Sequence, residues 1–212
     1  MKIMPGELKL YAVTDRAWAR DSDGVIRQVE AAVKGGATFV QVREKNLPPR
    51  EFLSEARWIV ELCHRNHVRC VINDNVDVAL LSGADGVHVG QDDMACEKAR
   101  AMLGAGRIIG VSAHNVEQAL AAERAGADYL GSGAAFATST KDVSGQYVTP
   151  EGFAEITGAV KIPVVAIGGI TKDNISELYG RGLAGVAVVS ALFAQPDVEA
   201  AAREMRALCE RL

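Results

Sequence analysis

The chain has 212 residues, 49% hydrophobic and 24% charged, the balance of an ordinary globular protein, which excludes intrinsic disorder, a collagen-like repeat and a disulfide-stapled miniature. Its formal net charge of −4 speaks against general nucleic-acid affinity, because binding a polyanion needs a basic surface that releases counterions. No apolar run approaches the roughly 18 uncharged residues of a membrane helix, and Met1-Lys2-Ile3-Met4-Pro5-Gly6-Glu7 lacks the apolar stretch of a secretion signal. The expected location is therefore the cytoplasm, with neither membrane nor nucleic acid as partner.

Short β-rich runs alternate with Ala/Glu/Arg-rich stretches of helical periodicity along the whole chain. In chain order the pattern predicts a strand over 8–15 and a helix over 22–34, then 39–44 with 50–66, 70–74 with 76–81, and 86–90 with 96–103. The second half repeats it: 107–113 with 116–125, 129–135 with 149–158, 163–169 with 172–180, and 185–193 with 196–212. Val164-Val165-Ala166-Ile167 and Val186-Ala187-Val188-Val189 are nearly continuous apolar runs, as strands covered on both faces require. Glycines at 36, 83, 104, 126 and 182 stand where helices need a left-handed cap. Eight such units at about 26 residues each, without a linker, predict a single-domain α/β fold over residues 1–212, a (βα)8 TIM barrel. An open doubly wound sheet is the alternative, and it usually carries fewer strands.

The four cysteines, Cys63, Cys70, Cys96 and Cys209, form no C-x-x-C pair and read as isolated small thiols. His64 and His67 stand near Cys63, but neighbouring ligands on one helix leave a zinc shell unfilled.

In a barrel of this kind the C-terminal ends of the strands share one rim, and the chemistry sits there. The ends carry Thr14-Asp15-Arg16, Gln41-Val42-Arg43-Glu44-Lys45, Asn73-Asp74-Asn75, His88-Val89-Gly90-Gln91-Asp92-Asp93, Ser112-Ala113-His114, Thr138-Ser139-Thr140-Lys141, Gly168-Gly169 and Val189-Ser190. Gly168-Gly169, with the eighth loop, suits a phosphate cradle, since glycines let backbone N–H groups approach an anion; a loop that merely closes the barrel is the plainer reading. Gln41, Arg43 and Lys45 alternate and share a face. Two inward cations call for an anion, either a phosphate-bearing ligand or a neighbouring carboxylate such as Glu44. Asp74 and Asp93 end consecutive strands, and a carboxylate pair beside phosphate-seeking cations suits Mg²⁺. Acid–base catalysis and helix capping are the competing roles for that pair, and Asp92 reads as a cap. Thr138, Ser139, Thr140 and Lys141 form either an anion grip or a polar turn. His88 reads as a satisfied inward histidine and His114 as a candidate for proton transfer, and no Ser-His-Asp order emerges.

Seven of these phrases occur in one order over essentially the whole chain: Tyr11-Ala12-Val13-Thr14-Asp15, Gln41-Val42-Arg43-Glu44-Lys45, Ile72-Asn73-Asp74, the run from Gly83 to Met94, Gly110-Val111-Ser112-Ala113-His114, Thr138-Ser139-Thr140-Lys141 and Ala166-Ile167-Gly168-Gly169-Ile170. Together they resemble the thiamine-phosphate synthase (thiamine-phosphate pyrophosphorylase) family. The resemblance implies a barrel that joins a hydroxymethylpyrimidine diphosphate to a thiazole phosphate and releases pyrophosphate. It implies a diphosphate site of Gln41, Arg43, Lys45, Asn73, Ser112 and Lys141, with Arg43, Lys45, Ser112 and Lys141 as the catalytic set. Asp74 and Asp93 would hold Mg²⁺, and Thr138, Ser139, Thr140, Gly169, Val189 and Ser190 would form the thiazole-phosphate site. The implied chemistry is dissociative and needs no strong base. Its partners are the two small molecules, and a homo-oligomer is compatible with it.

Three places depart from the family's usual pattern: Asn46 in place of Asp, Asn75 in place of Arg, and Ala134-Ala135-Phe136-Ala137 in place of a more proline-containing approach to the threonine loop. The nearest rival is a thiazole tautomerase-like relative using His114. Arg43, Lys45, Asp74, Asp93 and Lys141 favour the synthase, because an isomerase has no diphosphate to bind. A catalytically silent phosphate-binding barrel would use the same glycines and cations, and a metal-free sugar-phosphate isomerase is the remaining barrel chemistry.

Overall fold

A computed structural model describes residues 3–138 and 147–212, so the sequence expectations for Ser139, Thr140 and Lys141 fall outside the described residues. Eight parallel strands close a barrel in sequence order: β1 (Leu10–Val13), β2 (Phe39–Val42), β3 (Arg69–Asn73), β4 (Gly86–Val89), β5 (Ile108–Ala113), β6 (Tyr129–Gly133), β7 (Val164–Ile167) and β8 (Gly185–Val188). The ring closes where Tyr11 of β1 registers with Ala187 of β8. Helices α1 (Ser22–Lys34), α2 (Pro49–Arg65), α3 (Val76–Ser82), α4 (Cys96–Leu103), α5 (Val116–Arg124), α6 (Pro150–Ala159), α7 (Ser190–Phe193) and α8 (Val198–Cys209) follow the strands.

Apolar residues on both strand faces divide the core in two. One shell lies between the strands and the helices, and includes Val29, Ile59, Ile72, Leu130 and Phe153. A second cluster fills the barrel itself, with Tyr11, Phe39, Val71, Ile108, Tyr129 and Val165. Tyr11, Phe39 and Tyr129 meet edge to face at centroid distances of 4.6, 5.9 and 5.6 Å, an arrangement that matches ring edges to ring faces.

Several expected element bounds need correction. The segment expected to form a helix over 172–180 carries only a 3-10 turn, Ile175–Leu178. Thr171 N–H donates to Asn174 Oδ1 and Asp173 N–H to Thr171 Oγ1, local side-chain bonds that compete with a regular helix. The eighth strand stops at Val188, and Ser190–Phe193 already turns as α7, burying Leu192 and Phe193 in the outer core. At the opposite end of the barrel a 3-10 turn, Pro5–Leu8, precedes β1 and carries Leu8, fully buried, into the inner cluster. Arg69 fastens it through a 3.2 Å ion pair to Glu7.

Candidate active site

The rim is polar because each strand ends as the chain leaves the sheet, and a cleft there collects residues from all eight strand ends. Its deeper lobe is lined by Gln41, His88, Ser112, Thr138, Gly169 and Ser190, among others. A shallower lobe beside it carries Lys45, Asp74, Gln91 and Asp93. Arg43, Asn73, His88 and Ser112 line both lobes, so two ligands seated in them would meet at those residues.

Arg43 and Lys45 lie just beyond β2, not within it as the alternation suggested. Arg43 N–H donates to Thr14 Oγ1 at 2.8 Å, and its guanidinium pairs with Asp15 at 3.3 Å. The carboxylate expected beside Arg43 is therefore Asp15, whose other oxygen accepts from Ala17 N–H at 2.9 Å. Glu44 turns the other way, to Arg16 at 3.0 Å. Arg16 also pairs with Glu55 on α2. Burial, with Glu55 close by, pushes the Glu44 carboxyl up to about 7 despite Arg16. The Arg16–Glu44–Glu55 cluster escaped the sequence reading; its only signal was a glutamate placed between two cations and facing the opposite side of the strand.

Asp74 adopts a left-handed backbone at φ 61°, a conformation aspartate tolerates better than most residues. Its N–H donates to His88 O at 2.8 Å, and its Oδ2 accepts from Asn73 Nδ2. Burial first, then the neighbouring Asp93, raises the Asp74 carboxyl to about 6. The two carboxylates do converge, and Lys45 is close enough to oppose that rise. Asp93 Oδ2 also accepts from Gly90 N–H at 2.8 Å, which fixes the loop. Neither aspartate caps a helix: Asn75 caps α3, accepting from Val78 N–H at 2.9 Å, and this accounts for asparagine at that position. The expectation that Asp92 caps a helix is not met either, since Ala95 is the N-cap of α4 and provides no side-chain bond.

In the deeper lobe Gly168 and Gly169 have φ of 98° and 65°. A side chain at Gly169 would strike the backbone of Phe136 and Ala137, and one at Gly168 would sit 2.6 Å from the Ala134 Cβ. The Ala134–Ala137 departure is thus the surface on which the glycine loop rests. Asn174 Nδ2 donates to Gly169 O at 2.9 Å and holds the loop from behind. His114 Nδ1 donates to Gly133 O at 2.5 Å. His64 is engaged with Asp85 at 3.1 Å, all four cysteines are buried and free, and among the described residues no cluster of three or more His, Cys, Asp or Glu is placed to hold a metal.

The sequence profile of a family described as thiamine monophosphate synthase matches residues 10–192. The chain belongs to this family. It is 48% identical over 201 residues to a thiamine-phosphate synthase of Chloroflexus aurantiacus, covering 94% of this chain and 92% of that protein. Against a thiamine-phosphate synthase of Clostridium novyi it is 45% identical over 197 residues, covering 93% and 96%. The solved structure of a thiamine phosphate pyrophosphorylase from Pyrococcus furiosus superimposes with a TM-score of 0.89 at 41% identity, over 97% of each chain. Among the described residues no helix is long and apolar enough to cross a membrane, and thiamine-phosphate synthase family membership agrees with the two-lobed cleft.

Proposed function

We propose that the chain is a thiamine-phosphate synthase of the cytoplasm that couples 4-amino-2-methyl-5-hydroxymethylpyrimidine diphosphate to a thiazole phosphate and releases pyrophosphate. The observation that carries this reading is the pair of adjoining lobes, one acidic and cationic, the other built on glycines, sharing Arg43, Asn73 and Ser112. A one-substrate isomerase has no use for the first lobe.

Two converging carboxylates, with no group of three or more His, Cys, Asp or Glu placed to hold a metal among the described residues, fit Mg²⁺, which takes one or two protein carboxylates and fills its remaining positions with water and ligand phosphate oxygens. Asp74 and Asp93 would hold the ion, whose chemistry is to neutralise charge on the diphosphate. The chain's own groups do the rest. Arg43, Lys45 and Lys141 stabilise the departing anion, while Asn73, Gln41 and Ser112 orient the pyrimidine diphosphate. The C–O bond breaks with its electron pair leaving on pyrophosphate, and the resulting pyrimidine-stabilised carbocation is captured by the thiazole nitrogen lone pair, which forms the C–N bond. Thr138, Ser139, Thr140, Gly169, Val189 and Ser190 hold the thiazole phosphate in line for that capture. No proton has to be removed for either bond change, which suits a site with no Ser-His-Asp set.

The test is incubation of the purified chain with both substrates and Mg²⁺, reading pyrophosphate and the coupled product. Stoichiometric pyrophosphate and product that vanish in excess EDTA support the reading; binding of both substrates without turnover would overturn it in favour of a silent binding barrel.

A further inference from the structure

Five side chains form one continuous hydrogen-bonded chain across the inside of the barrel. Gln41 Nε2 donates to Tyr11 Oη at 2.6 Å, Tyr11 Oη lies 2.8 Å from Tyr129 Oη, Tyr129 Oη lies 3.0 Å from His88 Nδ1, and His88 Nε2 lies 3.1 Å from Ser112 Oγ. Gln41 and Ser112 at the two ends line the cleft, as do Tyr11 and His88. The three middle residues are buried, and both phenols are pushed well above their ordinary range by burial, so each hydroxyl keeps its single proton.

Counting protons gives the chain a direction. Tyr11 accepts from the Gln41 amide, so its own proton goes to Tyr129. Tyr129 then gives its proton to His88 Nδ1, which must be bare. His88 therefore carries its proton on Nε2 and donates to Ser112 Oγ, and the Ser112 proton is left to point into the cleft. The opposite polarity would require His88 protonated on Nδ1 with Nε2 accepting from Ser112, turning the serine proton away from any ligand. A doubly protonated His88 would donate to Tyr129, Tyr129 would donate to Tyr11, and the buried Tyr11 proton would lose its acceptor, an expensive state.

The backbone makes room for this chain. A Cβ on Gly110 would run into the Tyr129 ring and come within 2.5 Å of His88 Nδ1, and one on Gly131 would sit 3.0 Å from His88 Cε1. Glycine in two neighbouring strands, costly to strand stability on its own, is what allows imidazole and phenol to lie side by side.

We infer that His88 is a positioning residue, held by Tyr11 and Tyr129 as the neutral Nε2–H tautomer so that the Ser112 hydroxyl always presents its proton to an anionic ligand. The inference rests on the proposed function only for the identity of that ligand, a diphosphate. Polarisation passed along the chain strengthens the last donor.

Long-range ¹H–¹⁵N NMR on the histidine-labelled wild-type protein reads the tautomer directly, and needs neither substrate nor mutation. A protonated Nε2 with a bare Nδ1 at neutral pH is expected; the Nδ1–H tautomer would overturn the inference even in an active enzyme. The second readout is calorimetric binding of inorganic pyrophosphate with Mg²⁺. Tyr129→Phe keeps the ring and removes only the hydroxyl, and it should weaken pyrophosphate about tenfold in the wild-type background, but leave it unchanged when Ser112→Ala is already present. Equal weakening in both backgrounds would show a merely structural effect and contradict the inference. Turnover enters neither readout, so an inactive protein would count against the proposed function alone.

Discussion

Asp93 is the residue on which the metal assignment is easiest to test, because one of its oxygens fixes the Gly90 loop and its carboxylate converges with that of Asp74. Asp93→Asn keeps the size and an acceptor for Gly90 N–H but removes the charge. The coupling rate should fall about 100-fold, a loss typical of removing one charge-stabilising group, with partial recovery at high Mg²⁺; an unchanged rate at all Mg²⁺ concentrations would remove Asp93 from the metal site. Glu44 makes a different kind of prediction. Its native carboxyl titrates near 7, above its ordinary value, so the folded protein holds a proton that the unfolded chain releases between about pH 4.5 and 7. Its contribution to stability is therefore fullest below that window and is lost as pH rises through it. Glu44→Gln, which cannot ionise, should melt roughly 2–4 °C above wild type at pH 8, a gain of about 1 kcal/mol, and at nearly the same temperature at pH 5. A difference that does not change with pH would contradict the shared burial of Glu44 and Glu55.

At the scale of elements, the loop after β7 shows what the sequence made legible and what it hid. Gly168-Gly169 stood out as a cradle, and the structure supplies the reason two glycines are needed: positive φ and a close approach to residues 134–137. Gly169→Ala should raise KM for the thiazole phosphate about tenfold or more while affecting KM for the pyrimidine diphosphate far less, measured by varying each substrate in turn; equal increases would mean that the loop does not belong to one lobe. The 3-10 turn at Ile175–Leu178 was hidden because residues 172–180 are amphipathic enough for a helix, whereas the Thr171–Asn174 side-chain bonds that shorten it depend on the backbone already being bent. Strand lengths were misjudged at β1 and β8 for a related reason. Apolar residues continue past the sheet at both places, Leu8 into the barrel floor and Leu192-Phe193 into the outer core, and hydrophobicity alone does not mark where pairing stops.

For the molecule as a whole, alternation of short apolar β-rich runs with stretches of 3.6-residue periodicity, repeated eight times, was enough to specify a closed barrel, since each unit buries its apolar faces only when the ring is complete. The floor of that ring was not legible, because residues 3–8 reach it through a turn whose burial depends on the far strands. Leu8→Ala should cost about 3 kcal/mol, lowering the melting temperature by roughly 6–12 °C, with the rim chemistry retained at low temperature; a shift under 2 °C would mean that the turn is not part of the core. The rim itself read well from sequence where polar residues end apolar strands, as at Asn73-Asp74 and Ser112. It read poorly for Asp15 and the Arg16–Glu44–Glu55 cluster, whose partners come from separate elements and meet only once the barrel forms. On the proposed function, one cleft accepts a departing diphosphate between paired carboxylates and inward cations. A crystal of the protein soaked with Mg²⁺ and pyrophosphate tests it most directly: the anion should lie against Arg43 and Ser112 with the ion on Asp74 and Asp93, and pyrophosphate bound elsewhere, with those residues untouched, would contradict it.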